Sequence, residues 1–297
     1  MERIVLSESV ALSRIIYGLW RLTDDADRSV SHIQAKIDAC LDQGITSFDQ
    51  ADIYGGYTSE AVFGKALKQA PELRGQMEII TKCNIVAPAG IYADRRLKHY
   101  DSSGAHIQQS VDRSLREMAI EQIDVLLLHR PDPLMDAAET GAALDALVHS
   151  GKVKALGVSN FRPFDLALLQ ANMKSRLVCN QIEINLQDNA AFTNGDLSYF
   201  QRDNIIPMAW SPLAGGKLFG NNNPSLTDRL REMSKAYGVQ PSSLAIAWLL
   251  KHPSQILPIM GSNRIDRIKA FSEALLVQLD RQAWYELYEA ANGHEVP

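Results

Sequence analysis

The sequence predicts an α/β fold, a (β/α)8 TIM barrel, on three observations. Eight short apolar runs, each closing on a polar or Gly/Pro-rich turn, recur along the chain with helical patterns between them. Several of these runs, such as Val125-Leu126-Leu127-Leu128, are continuously apolar, as parallel strands covered on both faces must be. No Gly-, Ser- or Pro-rich linker divides the 297 residues, so 1–297 read as one barrel domain, with 46% hydrophobic residues to fill a large core.

The elements follow in order. Residues 3–6 and 10–12 read as a small hairpin capping the bottom of the barrel. The strand candidates are 14–19, 46–49, 78–82, 123–129, 153–159, 178–182, 206–211 and 256–261. Val30, Ile33, Ile37, Ala39 and Leu41 fit one amphipathic helix face, 59–67 reads as a helix after the second strand, and 138–149 and 163–171 read as two more, with Gly151 as a C-terminal stop. Residues 280–292 form an extra C-terminal helix. Two connections are long: 85–103 after the third strand, and 214–227 after the seventh, which holds Gly215, Gly216, Gly220 and three consecutive asparagines. Long connections on the catalytic face of a barrel are candidates for lids or ligand loops.

Composition narrows the function. The net charge is -5 with both signs mixed along the chain, so no basic stripe offers a nucleic-acid surface. The 3 cysteines, Cys40, Cys83 and Cys179, lie far apart without a C-x-x-C pair, against a disulfide framework or a cysteine metal site. Seven histidines form no H-x-H or H-x-x-x-H pair, against a metal-dependent hydrolase, so no metal is expected. The first residues carry no signal-peptide run, and no apolar stretch approaches the roughly 20 residues that span a bilayer. The expectation is a soluble protein in a reducing, cytoplasmic setting.

The chemistry gathers at strand ends. Asp49 ends the second strand and Tyr54 lies five residues on, where strand gives way to helix. Lys82 ends the third strand and His129 the fourth. Taken singly each has a plainer reading: a tyrosine before two glycines is a turn residue, a lysine at a strand end is a solvated charge, and a histidine before Arg130-Pro131 closes a loop. Together they suit one task. A phenol with a free pKa of about 10 needs a neighbouring cation to work near neutrality. Lys82 would lower the pKa of Tyr54, Asp49 would hold Lys82, and His129 would orient a substrate oxygen while Tyr54 hands a proton to a forming alkoxide. Glu60, in the first turn of its helix, reads as a partner of the helix dipole. Trp20, Tyr57 and Asn84 are candidates for the pocket wall.

Six segments in register carry a resemblance: Asp49-x-Ala51-x-x-Tyr54-Gly55, Thr81-Lys82, Asp124 to His129, Gly157-Val158-Ser159-Asn160-Phe161, Asn180-Gln181-Ile182-Glu183 and Trp210-Ser211-Pro212-Leu213-Ala214. On them the chain resembles the aldo-keto reductases. Within that family it is most similar to bacterial oxidoreductases of the YdhF type, which share the Tyr54-Gly55-Gly56-Tyr57 and His129-Arg130-Pro131-Asp132-Pro133 stretches. The resemblance implies reduction of aldehydes or ketones by hydride transfer from NADP(H), bound without a Rossmann fingerprint, and no G-x-G-x-x-G or P-loop motif is present. Its catalytic four would be Asp49, Tyr54, Lys82 and His129. Ser159, Asn160 and Gln181 would hold the carboxamide, and Trp210, where most relatives have tyrosine, would stack on the nicotinamide ring. Gly18, Leu19, Trp20 and Asp49 would lie near that ring. Ser211, Pro212, Leu213, Ala214, Gly215, Gly216 and Lys217 would approach the pyrophosphate. Gly261, Ser262, Arg264 and Arg267, read as a helix start, would hold the 2′-phosphate and so favour NADPH. Gly261 stands where many relatives have lysine, and Phe271 near where many have an adenine-contacting asparagine. Members of the family also serve as potassium-channel β subunits, so a second reading is an NADPH-binding, redox-sensing regulatory or scaffold subunit with little turnover.

Overall fold

The computed structural model describes residues 1–220 and 223–297. Eight parallel strands close on themselves: β3 (Ile16–Gly18), β4 (Ser47–Asp49), β5 (Glu78–Cys83), β8 (Ile123–Leu128), β9 (Val153–Ser159), β10 (Leu177–Glu183), β11 (Ile206–Trp210) and β12 (Leu257–Met260). The seam closes where β12 pairs β3, with Ile259 opposite Ile16. The buried Arg14 guanidinium spans it, donating to the carbonyls of Ile256 and Leu250. The expected strands are all present, their ends within two residues of the predicted ones.

A hairpin precedes the barrel. β1 (Arg3–Ser7) and β2 (Val10–Ser13) pair antiparallel. Its inward residues Ile4, Val10 and Leu12 join Ile16, Ile80, Val125, Leu127, Met208 and Leu257 in one apolar cluster, so the hairpin plugs one end of the barrel. Full burial of a leucine stabilises by about 1.5–3 kcal/mol, and Leu12→Ala would forfeit that plus a cavity term.

The second core lies between the strands and the surrounding helices. Those helices are α1 (Val30–Leu41), α3 (Ser59–Gln69), α4 (Gly104–Met118), α5 (Ala137–His149), α6 (Pro163–Gln170), α7 (Asp196–Asp203), α8 (Pro224–Tyr237) and α9 (Pro241–Leu250). Their starts are fixed by caps that occupy otherwise unpaired amides: Ser29 accepts from His32, Ser103 from His106, Asp136 from Ala138 and Glu139. The expected C-terminal helix, α11 (Arg281–Asn292), is capped by Asp280 and stopped by Gly293 at φ 77°. At Gly64, α3 crosses α4 so closely that a methyl group would stand 1.9 Å from the Glu117 carbonyl oxygen. No helix among the described residues is long and apolar enough to cross a membrane.

Both long connections hold more structure than expected. In 85–103, β6 (Ile85–Val86) pairs antiparallel with β7 (His99–Tyr100), and a 3-10 turn spans Gly90–Tyr92. In 214–227, a 3-10 turn covers Ala214–Phe219, and α8 begins at Pro224, inside the segment read as loop, because the Asn223 side chain caps it. Of the three asparagines, Asn221 and Asn222 lie outside the described residues.

Candidate active site

Parallel pairing brings the ends of β4, β5 and β8 side by side, and with them three polar groups. Asp49 is the last residue of β4, Lys82 lies near the end of β5, and His129 directly follows β8. Tyr54 opens α2 (Tyr54–Tyr57), a single turn after β4. Lys82 is wholly buried. Its ammonium donates to Asp49 Oδ1 at 2.9 Å, Asp49 Oδ2 at 2.7 Å, the Gln50 carbonyl at 2.8 Å and the Tyr54 hydroxyl at 3.1 Å. Gln181 Nε2 donates to Asp49 Oδ1 at 2.8 Å and steadies the carboxylate from across the barrel.

Burial shapes the electrostatics. It works against the Lys82 ammonium, but the Asp49 carboxylate and the hydrogen bonds to Asp49 and Tyr54 outweigh it and hold the group above its ordinary value. For Tyr54, burial is the larger effect and Lys82 offsets only part of it, so the phenol stands above its ordinary value and stays protonated at neutral pH. This corrects the expectation of a net lowered tyrosine: Lys82 pulls in the predicted direction, but desolvation of the phenolate wins. His129 is pushed well below the usual imidazole range by burial, then by the cations Lys82, Arg130 and Lys98. It is therefore neutral, and its Nδ1 is buried with no hydrogen-bond partner. Its ring meets Tyr54 edge-on, centres 5.9 Å apart.

The turn that aims Tyr54 is strained. Gly55, Gly56 and Tyr57 are all left-handed, with φ of 59°, 62° and 69°. Two glycines meet the requirement without strain, and a Cβ on Gly55 would stand 2.5 Å from Thr23 Oγ1. Tyr57 meets it at a cost of about 1–2 kcal/mol.

These groups face a cavity of about 1590 Å³, larger than the roughly 300–1,000 Å³ of a site for one small ligand. Asp49, Tyr54, His129, Ser159, Asn160 and Gln181 line it, as does Trp210 at the end of β11. Trp210 Nε1 donates to Asn160 Oδ1 at 3.0 Å, Asn160 Nδ2 to Ser159 Oγ at 2.7 Å, and Ser159 Oγ to the Gln181 carbonyl at 2.8 Å. Farther round the rim lie Gly18 and Trp20, then Ser211, Pro212, Leu213, Gly215 and Gly216, then Gly261, Ser262, Arg264 and Arg267. Gly18 and Gly261 approach so closely that a Cβ on Gly261 would stand 2.9 Å from the Gly18 carbonyl oxygen.

Several expected residues sit elsewhere. Leu19 is buried in the core between barrel and helices, because it alternates with Gly18 and faces outward. Ala214 packs against that same core, and Lys217 lies off the cavity, its carbonyl accepting from Gln187. Tyr57 is buried, its hydroxyl donating to the Ile85 carbonyl at 3.1 Å, so it braces a loop instead of walling the pocket. Asn84 is buried as well, bonded to Ser102 and to both the N–H and the carbonyl of Arg130. The helix start expected at Arg264 is the four-residue α10 (Ile265–Ile268), and Arg264 is tied to Asp266 at 2.5 Å. Arg267 forms no ion pair among the described residues. Glu60 is buried and accepts from Thr81 at 2.6 Å and Ser114 at 2.9 Å, and burial pushes it up to about 7.

Sequence reasoning missed four cations on the cavity wall: Arg21, Lys98, Arg130 and Arg231. Two had a signal, since Arg130 adjoins His129 and Lys98 lies in a predicted lid. Arg231, on α8, had none. No cluster of His, Cys, Asp or Glu among the described residues is arranged to hold a metal ion.

The fit to a dinucleotide can be judged on this donor set. An indole face, paired amides, glycine backbone and a row of arginines along one groove are what an aromatic ring, an amide and several phosphates require. Comparison with known proteins agrees in kind. The sequence profile of the aldo/keto reductase family matches residues 14–292. A 6-dehydroglucose reductase of Agrobacterium fabrum is 57% identical over 296 residues, covering 100% of both chains. The oxidoreductase YdhF of Escherichia coli is 41% identical over 300 residues, again covering 100% of both. An aldo/keto reductase from Klebsiella pneumoniae, solved with NADP and acetate, superposes with a TM-score of 0.78 at 24% identity, over 98% of this chain and 94% of that one.

Proposed function

The chain belongs to the aldo/keto reductase family, and from that premise we propose that it reduces an aldehyde to an alcohol with NADPH, residues 1–297 acting as one catalytic domain. The observation that carries the reading is the buried ammonium of Lys82, bonded at once to Asp49 and to the Tyr54 hydroxyl. Trp210 offers the face for the nicotinamide, with Ser159, Asn160 and Gln181 for its carboxamide. The backbone of Ser211 to Leu213 and of Gly215 and Gly216 would serve the pyrophosphate, and Ser262 and Arg267 the 2′-phosphate. When bound, NADPH supplies the hydride.

The protein's own groups handle the oxygen and the proton. The neutral imidazole of His129 holds the carbonyl oxygen by hydrogen bonding, which an imidazole can do without surrendering a charge. As negative charge develops on that oxygen, the Tyr54 hydroxyl gives it a proton. The phenolate left behind is stabilised by the Lys82 ammonium 3.1 Å away, and Asp49 keeps that ammonium charged and in place. Tyr54 rests protonated at neutral pH and so holds the proton that reduction requires.

For the substrate, the relative named a 6-dehydroglucose reductase supports a sugar aldehyde. A hexose oxidised at carbon 6 is an aldehyde carrying a row of hydroxyls, and Lys98 and Arg130 at the cavity wall offer several hydrogen-bond donors to such a molecule. The test is NADPH oxidation with 6-dehydroglucose, with simple aldehydes and NADH as comparisons. Turnover with the sugar aldehyde above the others supports the reading. Absence of turnover with every aldehyde, despite NADPH binding, overturns it.

A further inference from the structure

Behind the strained turn lies a charged side chain that the chemistry above does not use. Arg113, midway along α4, is only 6% exposed and does not reach the cavity. Its guanidinium carbon stands 5.6 Å from the ring centre of Tyr57 and 5.6 Å from that of Tyr92. The two rings meet edge to face at 5.1 Å. One terminal nitrogen donates to Asp52 Oδ2 at 3.1 Å, and the other to the Tyr92 hydroxyl at 3.2 Å. A planar guanidinium can pair with two rings while donating in two directions, which an ammonium cannot match.

Two branches leave this hub. One runs to the turn that carries Tyr54. The Asp52 amide donates to the Lys82 carbonyl at 3.0 Å, and two residues on, the Tyr54 amide donates to Ala51 at 3.1 Å. The turn ends in Tyr57, a non-glycine at φ 69° that needs an external hold. The other branch runs to the connection 85–103. Tyr92 belongs to its 3-10 turn, and the Tyr57 hydroxyl accepts from the Ala87 amide at 2.9 Å in the same connection. This connection brings Lys98 to the cavity wall.

We propose that Arg113 is a positioning residue that ties the Tyr54 turn to the connection 85–103, so that the proton donor and the wall of the substrate end are set together. The kinetic half of this inference rests on the reduction proposed above, while the mechanical half rests on the geometry of the tie.

Three substitutions separate the branches. Asp52→Asn keeps the shape and replaces the carboxyl that faces Arg113 on the turn branch. Tyr92→Phe removes only a hydroxyl on the loop branch. Arg113→Met removes the hub and keeps its bulk. Asp52→Asn is expected to lower kcat about tenfold with KM for the aldehyde unchanged, and Tyr92→Phe to raise KM about threefold with kcat within twofold. Arg113→Met should do both, with the Kd for NADPH within about twofold in all three. Independently of activity, trypsin should cut at the exposed Arg95, Arg96 and Lys98 faster in Tyr92→Phe and Arg113→Met than in wild type, and no faster in Asp52→Asn. Unchanged kinetics and cleavage, or kcat, KM and NADPH affinity falling together in both single-branch variants, would overturn the tie in favour of a general structural brace. If Arg113→Met does not fold, the two single-branch variants decide alone. A wild-type enzyme inactive on every aldehyde would remove the functional reading, and the trypsin comparison would then judge the tie.

Discussion

Lys82 and Tyr54 come from different elements of the barrel, yet the lysine ammonium lies 3.1 Å from the tyrosine hydroxyl in a pocket that excludes water from the lysine entirely. The contact is possible because Asp49 neutralises the ammonium from the neighbouring strand. A buried cation without such a partner would lose its proton. In the proposed reaction the pair costs little at rest and acts most strongly once Tyr54 has given up its proton.

Tyr54→Phe removes the proton donor and leaves the ring that packs beside His129. We expect kcat for reduction to fall at least about a hundredfold, the range for a lost general acid, while NADPH binding is kept. Stopped-flow turnover with a parallel fluorescence titration checks both. Normal turnover would mean that the proton comes from elsewhere.

His129 is neutral and Tyr54 protonated throughout the neutral range, since the first is pushed down and the second up. The reduction rate should therefore stay level from pH 6 to 8 and fall only in the alkaline range as Tyr54 ionises. A pH profile of kcat decides this. A limb near 6.5, the usual imidazole value, would show that His129 titrates as if exposed.

Arg264 and Arg267 should not contribute equally. Arg264 already spends its fork on Asp266, and Arg267 has no such partner among the described residues. Arg267→Ala should weaken NADPH about tenfold or more and leave NADH nearly unchanged, whereas Arg264→Ala should change either by no more than about threefold. Titration of both nucleotides against both variants tests the assignment. Equal losses for NADPH and NADH would place Arg267 away from the 2′-phosphate.

Two buried acids make stability depend on pH. Asp52 is pushed up from 3.8 to about 8, mostly by burial and then by Glu60, against the pull of Arg113. Glu60 is pushed up from 4.5 to about 7, mostly by burial. In both cases the folded state keeps a proton that the unfolded chain has released. The folded form thus binds more protons between about pH 4 and 8, and stability declines as pH rises through that window. Asp52→Asn and Glu60→Gln should flatten the decline, measured as Tm from pH 5 to 8. A wild-type Tm that rises across this range would contradict the sign.

Lys36 offers a remote handle on cofactor affinity. It is fully buried, and its ammonium donates to Asp25 at 2.5 Å and to Asn263 Oδ1 at 3.0 Å, while Asn263 Nδ2 donates to the Arg21 carbonyl at 2.7 Å. Asn263 lies between Ser262 and Arg264, so Lys36→Met should loosen that loop and raise the Kd for NADPH about threefold to tenfold, through lost charge-assisted bonds. Calorimetry with NADPH checks it, and an unchanged Kd would show that the loop holds itself.

Much of this architecture is legible in the sequence because parallel strands announce themselves as continuous apolar runs, and their ends mark where polar groups collect. Val125 to Leu128 is such a run, and His129 stands at its end. Buried charge is not legible in the same way. Arg113, Glu60 and Lys36 sit on helices, where a charged letter reads as a solvent-facing one, and the buried face of α4 carries His106, Ser110, Arg113 and Ser114 among its apolar residues. Leu19 misled for a different reason: proximity to the site in sequence says nothing of which face a strand residue takes, and alternation sent it outward. Tyr57 looked like pocket wall because a left-handed backbone at a non-glycine residue leaves no mark in the sequence, and here it carries the ring away.

The closure between β12 and β3 also governs how the protein can be made. A chain leaving the ribosome presents β3 early and β12 only after some 240 further residues, so the first barrel strand waits with one edge open through most of synthesis. The hairpin plug waits with it, since the inner cluster that receives Leu12 includes Leu257. Nascent chains halted before Leu257 should therefore behave as open, sticky sheets, and release of the final strand should be the moment at which they become resistant to proteases.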